Sequence, residues 1–181
     1  MEAIERFNED VGYHIHKKMP PELEQPSVIQ YHIDYINPDL AWSRSEKDFA
    51  SACVYLACRE EGLPYTIEDF LEPDQNKDAV MRLYRDMCSK LKIMPPRVDP
   101  IKFAERIHNN IGGVPEKVLE RAKLIIEENK ESGKQTNTIA ASAYYRAAKI
   151  EGVTITQSLI GKEANVSEVT IRNTYRNLNV P

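Results

Sequence analysis

The stretch Ala140-Ala141-Ser142-Ala143-Tyr144-Tyr145-Arg146-Ala147-Ala148-Lys149-Ile150-Glu151-Gly152 decides the fold, because the chain carries it twice. Ninety residues earlier stands Ala50-Ser51-Ala52-Cys53-Val54-Tyr55-Leu56-Ala57-Cys58-Arg59-Glu60-Glu61-Gly62. Tyr55 pairs with Tyr145, Ala57 with Ala147, Arg59 with Lys149, Glu61-Gly62 with Glu151-Gly152, and Thr66 then with Thr156. Further on, the run from Val80 to Arg85 matches that from Ile171 to Arg176 at an offset of 91, so one inserted residue falls between, where a loop is expected. This is an internal duplication. Small side chains nearly all round a helix mark one buried on several sides. Raised helix propensity alone is the other reading of an alanine run; repetition at one offset favours the buried central helix.

Outward from these two runs the chain reads as helices separated by Pro, Gly and Asn. Apolar residues recur at helical spacing, as in Ile4, Phe7, Val11 and Ile15, or Val28, Ile29, His32, Ile33 and Ile36. Pro20-Pro21, Asn37-Pro38, Gly62 with Pro64, Pro73, Pro95-Pro96, Gly112-Gly113, Gly133 and Gly152 punctuate the segments. Ser45 ahead of Glu46-Lys47-Asp48 reads as a capping-box-like start, and Pro115 suits a first helical turn. Helices are predicted over 2–18, 26–37, 45–61, 66–72, 77–91, 99–110, 115–131, 136–151, 155–164 and 167–178. No alternating stretch predicts a sheet. The expected class is all-α, with two tandem five-helix repeats at 1–94 and 99–181 joined by Pro95-Pro96-Arg97-Val98.

Composition narrows the function. The 181 residues are 41% hydrophobic and 29% charged, a globular balance. No apolar run approaches the ~18 residues of a membrane helix, and the acidic start MEAIERFNED is unlike a signal peptide, so an intracellular protein with reduced thiols is expected. Cys53, Cys58 and Cys88 lack CxxC spacing, which argues against a disulfide framework or a zinc site. No GxGxxG or GxxxxGK[ST] phosphate loop is present. The net charge of −4 hides an asymmetry: residues 1–98 hold 12 Lys/Arg against 18 Asp/Glu, and residues 99–181 hold 12 against 10.

The functional signal lies in residues 154–176, which read as helix, short turn, helix. Ala164 is small where two helices would cross, Asn165 suits a left-handed turn, Val166 fills the angle, and Ser167 suits the N-cap of the second helix. On that helix Ile171, Thr174, Tyr175 and Leu178 share one side, within about 100° of arc. Val169, Arg172, Asn173 and Arg176 fall on the other. Such a face suits a recognition helix: Arg bonds guanine O6 and N7, and an apolar side chain meets a thymine methyl. Lys162, Thr170 and Asn173 are candidate phosphate contacts, as are the amides at Ser167–Val169. A helical hairpin with a solvated basic face remains the alternative. The first copy has Met81 in the place of Arg172 and an acidic turn, Glu72-Pro73-Asp74-Gln75-Asn76, a poor fit to a groove. If one copy reads bases, it is the second.

The paired Ala-rich runs, the phrases Ala-Cys-Arg-Glu-Glu-Gly and Ile-Glu-Gly-Val-Thr-Ile-Thr-Gln, and above all Val-Ser-Glu-Val-Thr-Ile-Arg-Asn-Thr-Tyr resemble the core of archaeal transcription factor B and its eukaryotic relative, general transcription factor IIB. The resemblance is strong from about 97 to 179, good over 44–64 and weak elsewhere. It implies two cyclin-like repeats, the second ending in a helix-turn-helix. It implies a non-enzymatic initiation factor, without cofactor, that binds the TATA-binding protein on promoter DNA and recruits RNA polymerase. Val169 and Arg172 would contact bases upstream of the TATA box; Lys162, Ser167, Thr170, Asn173 and Arg176 would contact the DNA backbone. A monomer is expected, in cytoplasm and nucleoid if archaeal or the nucleus if eukaryotic. The family normally begins with a zinc ribbon; the sequence has no Cys/His tetrad, so that module is expected to be absent.

Other candidates carry less. His14 and His16 face ~200° apart on a helix, a poor metal pair. Asp69, Glu72 and Asp74 are read as a solvated acidic loop rather than catalytic carboxylates, and Cys53 and Cys58 as buried thiols. Trp42 is expected to close the first repeat's core. The competing functions are a cyclin-like protein-binding adaptor and a transcriptional regulator independent of the TATA-binding protein.

Overall fold

The computed structural model describes residues 2–23, 25–35 and 45–181, all helix and connecting turn, with no strand among them. The first part of the chain forms α1 (Glu2–Lys18), α2 (Gln25–Tyr35), α3 (Glu46–Glu60) and α4 (Lys77–Leu91). The second forms α5 (Pro100–Ile111), α6 (Glu116–Asn129), α7 (Thr136–Ile150), α8 (Gln157–Ala164) and α9 (Glu168–Tyr175). The chain divides into two compact units, Met1–Pro96 and Arg97–Pro181, each with its own apolar core. Trp42 and the end of the helix expected over 26–37 lie outside the described residues.

The two alanine-rich helices are the axes of their units. In α3 every residue from Phe49 to Cys58 is buried, and it packs against α1, α2 and α4. In α7 Ile139 to Tyr144, Ala147 and Ala148 are buried, and the helix meets all four others of its unit. Alanine at these positions leaves room for neighbouring backbones on several sides at once. Both axes end alike. Gly62 and Gly152 take positive φ (62° and 71°), and the next amides, of Leu63 and Val153, bond back to the carbonyls of Cys58 and Ala148, each at 2.8 Å. Only glycine enters that left-handed conformation freely, which is why the Glu-Gly stop recurs in both copies.

Matched side chains also meet. Tyr55 lies 4.9 Å (ring centroids) from Tyr84, and Tyr145 lies 4.9 Å from Tyr175. A cation one helical turn on covers the first ring of each pair: Arg59 at 5.8 Å from Tyr55 and Lys149 at 5.9 Å from Tyr145.

The structure departs from the sequence reading in local ways. The helix expected over 66–72 is one 3-10 turn, Ile67–Phe70, closed by a capping box between Thr66 and Asp69. Ser45 occupies its N-cap position without a side-chain cap bond. The acidic loop is not simply solvated: Glu72 accepts ion pairs from Lys18 (3.2 Å) and Lys47 (3.0 Å). Lys47 and Lys18 together hold its carboxyl well below the usual range, at about 2. Cys53 and Cys58 are buried, and burial pushes the Cys53 thiol well up.

Candidate nucleic-acid interface

The second unit ends in a hairpin of short helices whose geometry is set by four local devices. Thr156 caps α8, its hydroxyl accepting from the Leu159 amide at 3.1 Å. Asn165 ends α8 in the left-handed conformation (φ 51°), and the Val166 amide returns to the Gly161 carbonyl at 2.9 Å. Val166 and Ala164 are buried in the angle between the helices. Ser167 caps α9: its hydroxyl accepts from the Thr170 amide at 3.1 Å and lies 2.7 Å from the Thr170 hydroxyl.

Two further positioning residues lie outside the turn motif's obvious letters. Gly161 has no room for a Cβ, which would land on the Val166 carbonyl oxygen, so the close approach of turn to helix requires glycine there. Asn137, at the start of α7, donates to the Ala164 carbonyl at 3.0 Å and fastens the hairpin to the central helix. A glycine inside a helical stretch is the signal that marks the first; the second has no local signal, because its partner is 27 residues away.

On α9 Ile171, Thr174 and Tyr175 are buried. Leu178 is buried too, but from beyond the helix. The chain turns after Arg176, where Asn129 holds Asn179 by two bonds of 2.9 and 3.0 Å. The helix is therefore shorter than the expected 167–178. The opposite side presents Val169 (57% exposed), Arg172, Asn173 and Arg176 to solvent, and Lys162, Ser167 and Thr170 are exposed beside them. Ser167 and Thr170 spend part of their hydrogen-bonding capacity on each other, while Arg172 has no carboxylate partner among the described residues. A large exposed aliphatic beside an unpaired guanidinium fits a groove lined with methyls and acceptors. In the first unit the corresponding Met81 is half-buried and packs on the core.

A family model described as the transcription factor TFIIB repeat matches residues 95–180. Similarity also extends into the first unit. Transcription initiation factor IIB 3 of Halobacterium salinarum is 34% identical over 146 residues, covering 78% of this chain and 46% of that protein. Residues 95–180 belong to the transcription factor TFIIB repeat family. Transcription initiation factor IIB of Pyrodictium occultum is 36% identical over 143 residues (77% of this chain, 46% of that protein). Transcription initiation factor IIB 2 of Thermococcus kodakarensis is 32% identical over 166 residues (89% and 54%). The chain thus spans about half the length of these relatives. Among the described residues no helix is long and apolar enough to cross a membrane.

Proposed function

We propose that this chain acts inside the cell as a transcription initiation factor core, without catalytic activity of its own, with cyclin-like repeats at 1–94 and 99–181 joined by 95–98. It binds the TATA-binding protein on promoter DNA and helps recruit RNA polymerase. Its helix α9 enters the major groove of the element upstream of the TATA box. Val169 and Arg172 contact bases; Lys162, Ser167, Thr170, Asn173 and Arg176 contact the backbone. The observation that supports this reading is the division of α9 within a TFIIB repeat: a buried side of Ile171, Thr174 and Tyr175 and an exposed side of Val169, Arg172, Asn173 and Arg176.

The charge distribution argues for assembly rather than solitary binding. Phosphate attraction supplies most non-specific affinity, and the first 98 residues are net acidic, with 12 Lys/Arg against 18 Asp/Glu. Affinity for naked duplex is therefore modest, and the TATA-binding protein supplies the remainder. A mobility-shift titration on a promoter duplex, with and without the TATA-binding protein, tests this. A supershift in its presence is expected. Its absence removes the partner claim, and tight specific binding without it favours an independent regulator.

A further inference from the structure

The second unit differs from the first at one place that the helix-turn-helix reading leaves unused. The matched tyrosine pairs have the same spacing, but their surroundings diverge. In the first unit the pair is closed off. Leu56 beside it is fully buried, and Arg59 donates to the Pro96 carbonyl at 2.9 Å. In the second unit the place of Leu56 is taken by Arg146, whose buried Nε has no hydrogen-bond partner. Lys149 is exposed beside the Tyr145 ring, and Arg176 lies 5.9 Å from the Tyr175 ring. The charged groups that act on the Tyr175 hydroxyl are all cations: Arg176, Lys149 and Arg146. The Arg176 contact and these charges hold that phenol below its ordinary range. Among the described residues no carboxylate pairs with the three cations, and Glu151, next along the chain, is turned to Lys117 (3.4 Å) and Arg121 (3.2 Å).

Lys149 and Arg176 over the two rings, with Arg146 on the same helix as Lys149, suit an anion, and their position selects it. Arg176 follows directly on the last turn of α9, four residues from Arg172. In homeodomain docking, a helix-turn-helix variant, the C-terminal end of the recognition helix contacts the sugar-phosphate backbone. We infer that Arg146 and Lys149 of α7 join Arg176 in gripping the phosphates of the DNA strand that borders the groove entered by α9. The central helix thereby becomes part of the DNA footprint. This inference rests on the proposed DNA-binding role of α9.

The test is a salt titration of duplex binding by the full chain with the TATA-binding protein present, comparing wild type, R172A and an R146Q/K149Q double variant. Each phosphate contact contributes about 0.9 to the slope of log affinity against log salt. The double variant should lower that slope by roughly 1.8 and weaken matched and scrambled upstream elements alike. R172A should lose affinity on the matched element alone. An unchanged slope for the double variant, with R172A still selective, overturns the phosphate grip and leaves base reading intact. An unchanged slope together with lost capture of RNA polymerase overturns it in favour of a protein contact. Equal loss by R172A on both elements removes base reading, while a reduced slope for the double variant would still hold. Thermal melting of R146Q/K149Q at the wild-type midpoint shows that the variant is folded.

Discussion

At the residue scale, the proposed recognition rests first on Arg172. Arg172 is exposed on α9 and, among the described residues, unpaired with any carboxylate. Its replacement therefore leaves the fold alone and acts on recognition. Arg172→Ala is expected to cost ~1–3 kcal/mol of discrimination at one base pair, read as the ratio of affinities for matched and scrambled upstream elements, with an unchanged melting temperature. Lys162, Ser167, Thr170 and Asn173 are different: as backbone contacts they would weaken binding evenly across sequences. The face of α9 was legible in the sequence because 100° per residue separates Ile171 and Thr174 from Val169 and Arg172 whatever surrounds them. The neighbourhood of Arg146 was not. Nothing local tells an arginine in an alanine-rich helix that Tyr145 and Tyr175 will meet beside it; only the duplication, by matching Tyr55 with Tyr145 and Tyr84 with Tyr175, hints at the pair.

At the scale of elements, the hairpin is held by a close backbone approach and by caps. Gly161→Ala places a methyl on the Val166 carbonyl. Overpacking of this kind costs typically 1–3 kcal/mol, so the variant should melt at lower temperature and lose DNA binding, since moving Val166 tilts α9. A melting point equal to wild type would show that the turn yields without strain. Ser167→Ala removes the acceptor for the Thr170 amide and should cost about 1 kcal/mol of stability, measured by urea unfolding. The start of α9 was readable because Ser is a good N-cap. Its end was not, because the turn after Arg176 depends on Asn129, 50 residues from Asn179. The same limit explains the segment 66–72. Its capping residues Thr66 and Asp69 are in the sequence, but Ser51 and Lys18 draw the Phe70 carbonyl aside, at 2.9 and 2.8 Å, and only a single 3-10 turn forms.

At the scale of the molecule, duplication produced two helical units that have since diverged in charge. The first ties its acidic turn to the body of the unit by ion pairs, with Glu72 between Lys18 and Lys47. The second presents Val169 and Arg172 to solvent on the helix that follows its turn. The Glu72 carboxyl is depressed from 4.5 to about 2 in the folded chain. Its stabilising contribution is therefore complete above about pH 4.5 and is lost as the pH falls through about 2. Glu72→Gln should melt below wild type at neutral pH, and calorimetry should find the difference closing between about pH 4.5 and 2. A gap independent of pH would mean that Glu72 does not hold the turn by charge. The all-helical class and the repeat were legible in the Ala-rich runs because small residues and Gly stops are local signals. The ion-pair network joins α1, α3 and the loop before α4, and such long-range pairing leaves no periodic trace.

In the proposed complex Arg172 bonds a base edge in the major groove. Methylation interference at guanine N7 tests it most directly, with wild type and Arg172→Ala compared on promoter duplex carrying the TATA-binding protein. Methylation of a guanine in the upstream element is expected to exclude that duplex from the wild-type complex and to have no effect at that guanine on the variant. Identical interference patterns for the two proteins would contradict it.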